Sequence, residues 1–182
     1  MALGLPWRMM MVRARTTLLL ALLALTLRTV AHSEPSVEVR KQDQETRKVL
    51  RVVDGDTLLL SPAEKVRLIG VNTPETVDRR KPVGCFGPEA SAYTKKMVEG
   101  KTVIVEFDDR NATRLHKDFR GGRTLAYIYL EDRTFLNREL IRLGYGKATP
   151  EYRFRYREEF RQLERQAQES NIGLWSHCKQ QN

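Results

Sequence analysis

Residues 49–76 read VLRVVDGDTLLLSPAEKVRLIGVNTPET, and the way this stretch is punctuated decides the fold. Val49–Val53, Thr57–Leu60 and Val66–Val71 are short runs rich in Val, Leu and Ile, a composition suited to half-buried strands. Asp54-Gly55 between the first two is a tight-turn dipeptide. Ser61-Pro62-Ala63-Glu64 turns the chain again before the third. Three strands so connected predict an antiparallel meander.

Outward from this core, Val77–Gly87 is a loop rich in Arg, Lys, Pro and Gly. Pro88 suits the first turn of a helix, Ala90, Tyr93, Thr94 and Met97 share one face of it, and Gly100 stops it. Thr102–Phe107 and Thr124–Leu130 predict two further strands around the charged turn Asp108–Gly122. Leu136, Leu140 and Leu143 form one helical stripe ending at Gly144. Tyr156, Phe160, Leu163 and Ala167 form another, ending at Asn171-Ile172-Gly173. The expectation is an α+β domain, a five-stranded OB-fold β-barrel with three α-helices, over residues 49–177. Residues 178–182 are then a C-terminal tail.

The start of the chain has a different character. Arg8, Arg13 and Arg15 precede the apolar run Leu18–Leu27 and the small residues around Ala31, the pattern of a signal peptide over residues 1–31. The run is short for a membrane span; an uncleaved anchor is the alternative. The expected location is secreted or periplasmic, with no membrane attachment after cleavage. Residues 32–48 are polar and read as a flexible linker. Removing residues 1–31 takes away Arg8, Arg13, Arg15 and Arg28 and no acid, lowering the formal charge from +9 to +5. A basic domain suits a polyanionic partner, although solvated Lys and Arg produce the same balance. With 41% hydrophobic and 30% charged residues in a chain of 182, the composition excludes a disordered or collagen-like protein. Cys85 and Cys178 invite a disulfide in an oxidising compartment. Two unpaired thiols, or a zinc site with His177, are the alternatives.

The residues able to do chemistry cluster at strand ends. Asp54 and Asp56 flank the first turn, and Asn72, Thr73 and Glu75 follow the third strand. In a meander these positions lie at one end of adjacent strands. Converging carboxylates repel, and a hard divalent cation relieves that repulsion; an all-oxygen set fits calcium, with magnesium as the rival. Arg67 lies on the third strand and Arg123 opens the fifth. Two guanidiniums beside a metal match the negative charge that builds on a phosphodiester in its transition state. Glu75 has the chemistry to orient or deprotonate a water. Taken singly, Asp54-Gly55-Asp56-Thr57 is as well explained by a hairpin, and a strand arginine by surface solvation. Gly100-Lys101-Thr102 lacks the upstream glycine of a phosphate loop, since Lys95 stands there, and no G-x-S-x-G occurs.

In order along the chain, Val53–Thr57, Val66–Thr76, Gly87–Val98, Gly122–Tyr129 and Ile172–Ser176 together resemble the signature segments of the thermonuclease family. The resemblance spans about Val49 to Ser176. It implies a calcium-dependent endonuclease that hydrolyses DNA and RNA and leaves 3′-phosphates, with no stable protein partner, and a monomer. It implies Arg67, Glu75 and Arg123 as catalytic, Asp56 and the Thr73 main-chain oxygen as metal ligands, and Tyr152 as a nucleotide contact. Two departures stand out. Asn72 occupies a metal-ligand position where well-studied members carry aspartate, so the site has one negative charge fewer. The Arg120–Arg123 stretch is one residue longer than the usual form. A non-catalytic nucleic-acid-binding module with a weakened metal site is the alternative function.

Overall fold

A computed structural model describes residues 44–108, 122–151 and 153–178. The proposed leader, most of the proposed linker, the charged turn between Asp108 and Gly122, Tyr152 and the tail beyond Cys178 lie outside the described residues.

Val49, Val52, Leu58, Leu60, Val66 and Leu68 are each at most 3% exposed, so the three strands of the meander turn one face to a common interior. Strand β1 (Gln44–Asp54) pairs antiparallel with β2 (Thr57–Leu60), which pairs antiparallel with β3 (Glu64–Leu68). The predicted third strand is interrupted at Ile69-Gly70, and Val71–Asn72 forms a separate short strand, β4. Gly70 has φ 76°, and a Cβ there would lie 2.7 Å from the Phe154 ring, so both backbone and packing demand glycine. After helix α1 (Gly87–Val98) come β5 (Thr102–Glu106) and β6 (Thr124–Tyr129). β3 and β6 run parallel, and the order β1-β2-β3-β6-β5 closes a barrel.

Closure corrects one boundary. Gln44–Lys48, expected as linker, is the first half of β1 and pairs residue by residue with β5, from Gln44 opposite Glu106 to Lys48 opposite Thr102. Its side chains are charged or polar, which hid the strand. Its backbone is nevertheless needed, because without it β5 would end the sheet as an unpaired edge. One long bent strand thereby serves both ends of the sheet.

The remaining elements brace the strand ends. Helix α2 (Leu136–Arg142) stops before Gly144, which has φ 66°; strand β7 (Lys147–Ala148) then pairs with β4. Helix α3 (Arg157–Glu169) buries Phe160 and Ala167, and the short α4 (Leu174–His177) adds, among the described residues, a helix to the three expected. Asn137 of α2 is fully buried and bonded on both sides of its amide. Its Nδ2 donates to the Ile69 carbonyl at 2.9 Å, and its Oδ1 accepts from the Ile128 N–H at 3.0 Å. This ties the turn after β3 to β6, and so fixes the segment that carries Asn72 and Thr73. Among the described residues no helix is long and apolar enough to cross a membrane.

Cys85 and Cys178 are joined in a disulfide 93 residues apart in sequence, so neither is available to a zinc ion. Beside it, Phe86 stacks on Tyr145 and lies against His177, at centroid distances of 5.5 and 5.1 Å. A closure of this length constrains the unfolded chain strongly. The Cys85→Ser/Cys178→Ser double variant is expected to lose about 2–5 kcal/mol of stability, read from urea unfolding under oxidising conditions. An unchanged midpoint would show that the cross-link adds nothing.

Candidate active site

Alternation along β3 sends Val66 and Leu68 inward and leaves Arg67, between them, partly exposed on the outer face. Thr57 is the cross-strand partner of Arg67, which brings the Asp54–Asp56 turn alongside the guanidinium. Arg67 forms an ion pair with Asp56, itself only 2% exposed, and Arg67 Nη2 donates to Asn72 Oδ1 at 2.9 Å. Asp56 also accepts from Thr57 Oγ1 at 3.0 Å and from the Thr73 N–H at 2.8 Å. A carboxylate this deeply buried requires such partners. Asp56 therefore knits the first turn, β3 and the segment after β4 into one corner.

That corner is built tightly from behind. Thr94 of α1, fully buried, donates its hydroxyl to the Gly55 carbonyl at 2.7 Å. A Cβ at Gly55 would come within 2.8 Å of Thr73 Oγ1, so only glycine lets the turn approach Thr73 this closely. Asp54 Oδ1 accepts from the Gly55 N–H at 2.9 Å and from Thr76 Oγ1 at 2.7 Å, joining the turn to the loop that carries Glu75.

Glu75 Oε1 accepts from the N–H groups of Val77 and Asp78, at 2.9 and 3.1 Å. The Val77 N–H, against the opposing effect of burial, holds this carboxyl below the ordinary glutamate value; the Asp78 N–H and the adjacent Asp54 carboxyl act in the same direction. Glu75 is thus an ionised acceptor at neutral pH. The Glu75 carbonyl in turn accepts from the Gly84 N–H at 2.8 Å, which closes the basic loop onto itself next to the disulfide.

Arg123 reaches the same place by a different route. The parallel register sets Val66 opposite Thr124, so the residue just before β6 stands at the rim formed by β2 and β3. Asp56, Arg67, Asn72, Thr73, Glu75 and Arg123 all line one cleft of about 990 Å³. Arg120 and Gly121, on which the expectation of a longer stretch falls, lie outside the described residues. Tyr152, the remaining expected contact, falls outside the described residues. The cleft also draws in groups to which the sequence reading assigned no role: Glu64 and Lys65 on β3, and Asp78, Arg79 and Lys81 in the loop. The basic composition of Val77–Gly87 was the available signal for the last two.

The donor atoms suit a hard cation. The described residues lining the cleft include no His or Cys, the carboxyls of Asp54 and Glu75 stand together, and buried Thr73 Oγ1 has no hydrogen-bond partner among the described residues. The groups there that could ligate a cation are oxygens, which match calcium or magnesium better than zinc. Among the described residues no three or more acidic, His or Cys side chains gather at a metal-holding spacing. Amide, hydroxyl or main-chain oxygens such as those of Asn72 and Thr73 would therefore have to complete a coordination shell.

Comparison with known proteins identifies a family. A family model described as staphylococcal nuclease homologue matches residues 65–177. The chain is 36% identical over 165 residues to the thermonuclease of Staphylococcus hyicus, covering 86% of this chain and 92% of that protein. It is 40% identical over 133 residues to the thermonuclease of Staphylococcus intermedius, covering 70% of this chain and 74% of that protein. A prophage-derived endonuclease of Bacillus subtilis is 31% identical over 136 residues, covering 69% of this chain and 42% of that protein.

Proposed function

This chain belongs to the staphylococcal nuclease homologues and is a nuclease that hydrolyses phosphodiester bonds, and from that premise we propose that it is a calcium-dependent endonuclease acting on both DNA and RNA and leaving 3′-phosphates. The observation that carries the proposal is the meeting of Arg67, Glu75 and Arg123 with Asp56 in one cleft. Binding phosphate alone does not call for an ionised glutamate in a cleft that also holds two arginines.

Asp56, Asn72 and Thr73 are the residues that would hold the cation. When bound, calcium would supply positive charge against the non-bridging oxygens of the scissile phosphate. Arg67 and Arg123 donate to those same oxygens, and their planar forks strengthen as charge develops there. Glu75 accepts a hydrogen bond from a water and takes its proton as the water oxygen bonds to phosphorus. The bond from phosphorus to the 5′-oxygen breaks, and that oxygen leaves as a 5′-hydroxyl after protonation from solvent. The phosphate stays on the 3′ side.

Export to a secreted or periplasmic location is part of the proposal. Its supports are the leader pattern over residues 1–31 and the Cys85–Cys178 disulfide, which suits an oxidising compartment.

The test is degradation of plasmid DNA and of single-stranded RNA by the purified chain, with calcium or with a chelator, followed by end-group analysis. Calcium-dependent loss of both polymers with 3′-phosphate ends is expected. Cleavage undiminished by chelator would refute the metal requirement, and 5′-phosphate ends would refute the direction of attack.

Asn72 gives a second test. Its amide contributes an oxygen but no charge, and that oxygen already accepts from Arg67. Asn72→Asp is expected to lower the calcium concentration for half-maximal activity by roughly tenfold, by restoring a formal charge to the ligand set. A calcium titration that superimposes on wild type would remove Asn72 from the metal site.

A further inference from the structure

A second cleft of about 780 Å³ opens next to the first, and the two share Asn72 and Pro74. Its volume lies in the roughly 300–1,000 Å³ range of small-molecule sites. It is lined by Lys147, Trp175, Pro82 and Val83 together with the Cys85–Cys178 disulfide, and no carboxylate is among its described lining residues. Lys147 is the cross-strand partner of Asn72, so the cation of the second cleft is fixed to a wall of the first. Its Nζ lies 5.5 Å from the centre of the Trp175 ring. The indole Nε1 is buried without a hydrogen-bond partner among the described residues, and Val83, at 61% exposure, presents an apolar side chain at the rim.

An indole, two prolines and a lysine whose ammonium stands over the indole, in a cleft with no carboxylate among its described lining residues, form a surface for a flat base attached to an anionic backbone. The shared wall says where that base comes from. A strand gripped at the scissile phosphate by Arg67 and Arg123 has to continue past the cleft, and on the side of Asn72 and Pro74 it passes into this second one.

We propose that the second cleft is a subsite for a nucleotide flanking the scissile bond, with Trp175 and Pro74 packing on the base and Lys147 meeting a backbone phosphate. The proposal rests on the nuclease reading of the first cleft and extends it to a preference for longer strands. The disulfide has a part in it, because Cys85 and Cys178 form a wall of the subsite and hold the loop that bears Pro82 and Val83.

The test uses single-stranded oligonucleotides with one cleavable phosphodiester among phosphorothioate linkages, lengthened one nucleotide at a time on either side. The quantity read is the ratio of kcat/KM for each lengthened substrate to that of its shorter parent. In the wild-type chain, one added nucleotide on one side is expected to raise kcat/KM about tenfold. That ratio should fall to twofold or less in Trp175→Ala and in Lys147→Gln, and largely survive in Trp175→Phe, which keeps an aromatic face. A purely structural role for Trp175 would depress both substrates alike and leave the ratio intact. Ratios in Trp175→Ala and Lys147→Gln equal to wild type would overturn the subsite while leaving the nuclease reading in place. A wild-type chain that cleaves none of these substrates would take down both.

Discussion

Arg67→Ala should reduce kcat by about 10³-fold or more and also destabilise the fold, because Arg67 has two separate duties. In the reaction it donates to the oxygens on which charge develops, and removing one such donor typically costs about 10²–10³-fold, more for an arginine acting on a phosphoryl group. In the resting protein it neutralises Asp56, which is 2% exposed. Deleting one member of a buried pair costs on the order of 3–5 kcal/mol, since the remaining charge is left without its partner. Here the Thr73 N–H and Thr57 hydroxyl stay with Asp56, so the lower end, about 3 kcal/mol, is expected. Arg67→Lys separates the two duties. The ammonium still faces Asp56 and recovers most of the stability, but a point charge does not reproduce the planar fork, so kcat stays depressed by about 10²-fold. Single-turnover rates and urea unfolding of the two variants measure the duties independently. Turnover near wild type in Arg67→Ala would exclude Arg67 from the chemistry.

Glu75→Gln is the sharper probe, since it alters charge with little change of shape. The glutamine carbonyl can still accept from the Val77 and Asp78 N–H groups, so the loop from Glu75 to Gly84 should keep its conformation. An amide cannot take a proton from the attacking water. General-base contributions are typically about 10²–10⁴-fold, and a loss of about 10³-fold in kcat with little change in KM is expected. Equal losses in kcat and in stability would instead assign Glu75 to holding the loop. A kcat within a few-fold of wild type would show that the water is activated by another group.

Much of the site can be located in the sequence because its members sit at strand ends that local signals mark well. Asp54-Gly55 announces the turn, the Val66-Arg67-Leu68 alternation says that Arg67 faces away from the core, and Pro74 and Pro88 bracket the loop. Where the structure departs from that reading, the departures share a cause. Gln44–Lys48 carries no apolar pattern, and becomes strand because β5 needs a partner. The run Val66–Val71 looks continuous, yet breaks at Gly70 because Phe154 packs where a side chain would stand. The ion pair of Arg67 with Asp56 and the nearness of Lys147 to Asn72 leave no trace in local spacing.

The chain by itself determined that there is a β-rich domain with a meander at its start, and which oxygen-bearing and guanidinium groups stand ready at the strand ends. Periodicity and turn chemistry act over a few residues, so they can be read directly. Tertiary structure alone decided that Arg123 joins Arg67, through the parallel pairing of β6 with β3, and that Cys85 meets Cys178 across 93 residues. Both depend on how the barrel closes around its core, and closure is settled by packing between segments far apart in the chain.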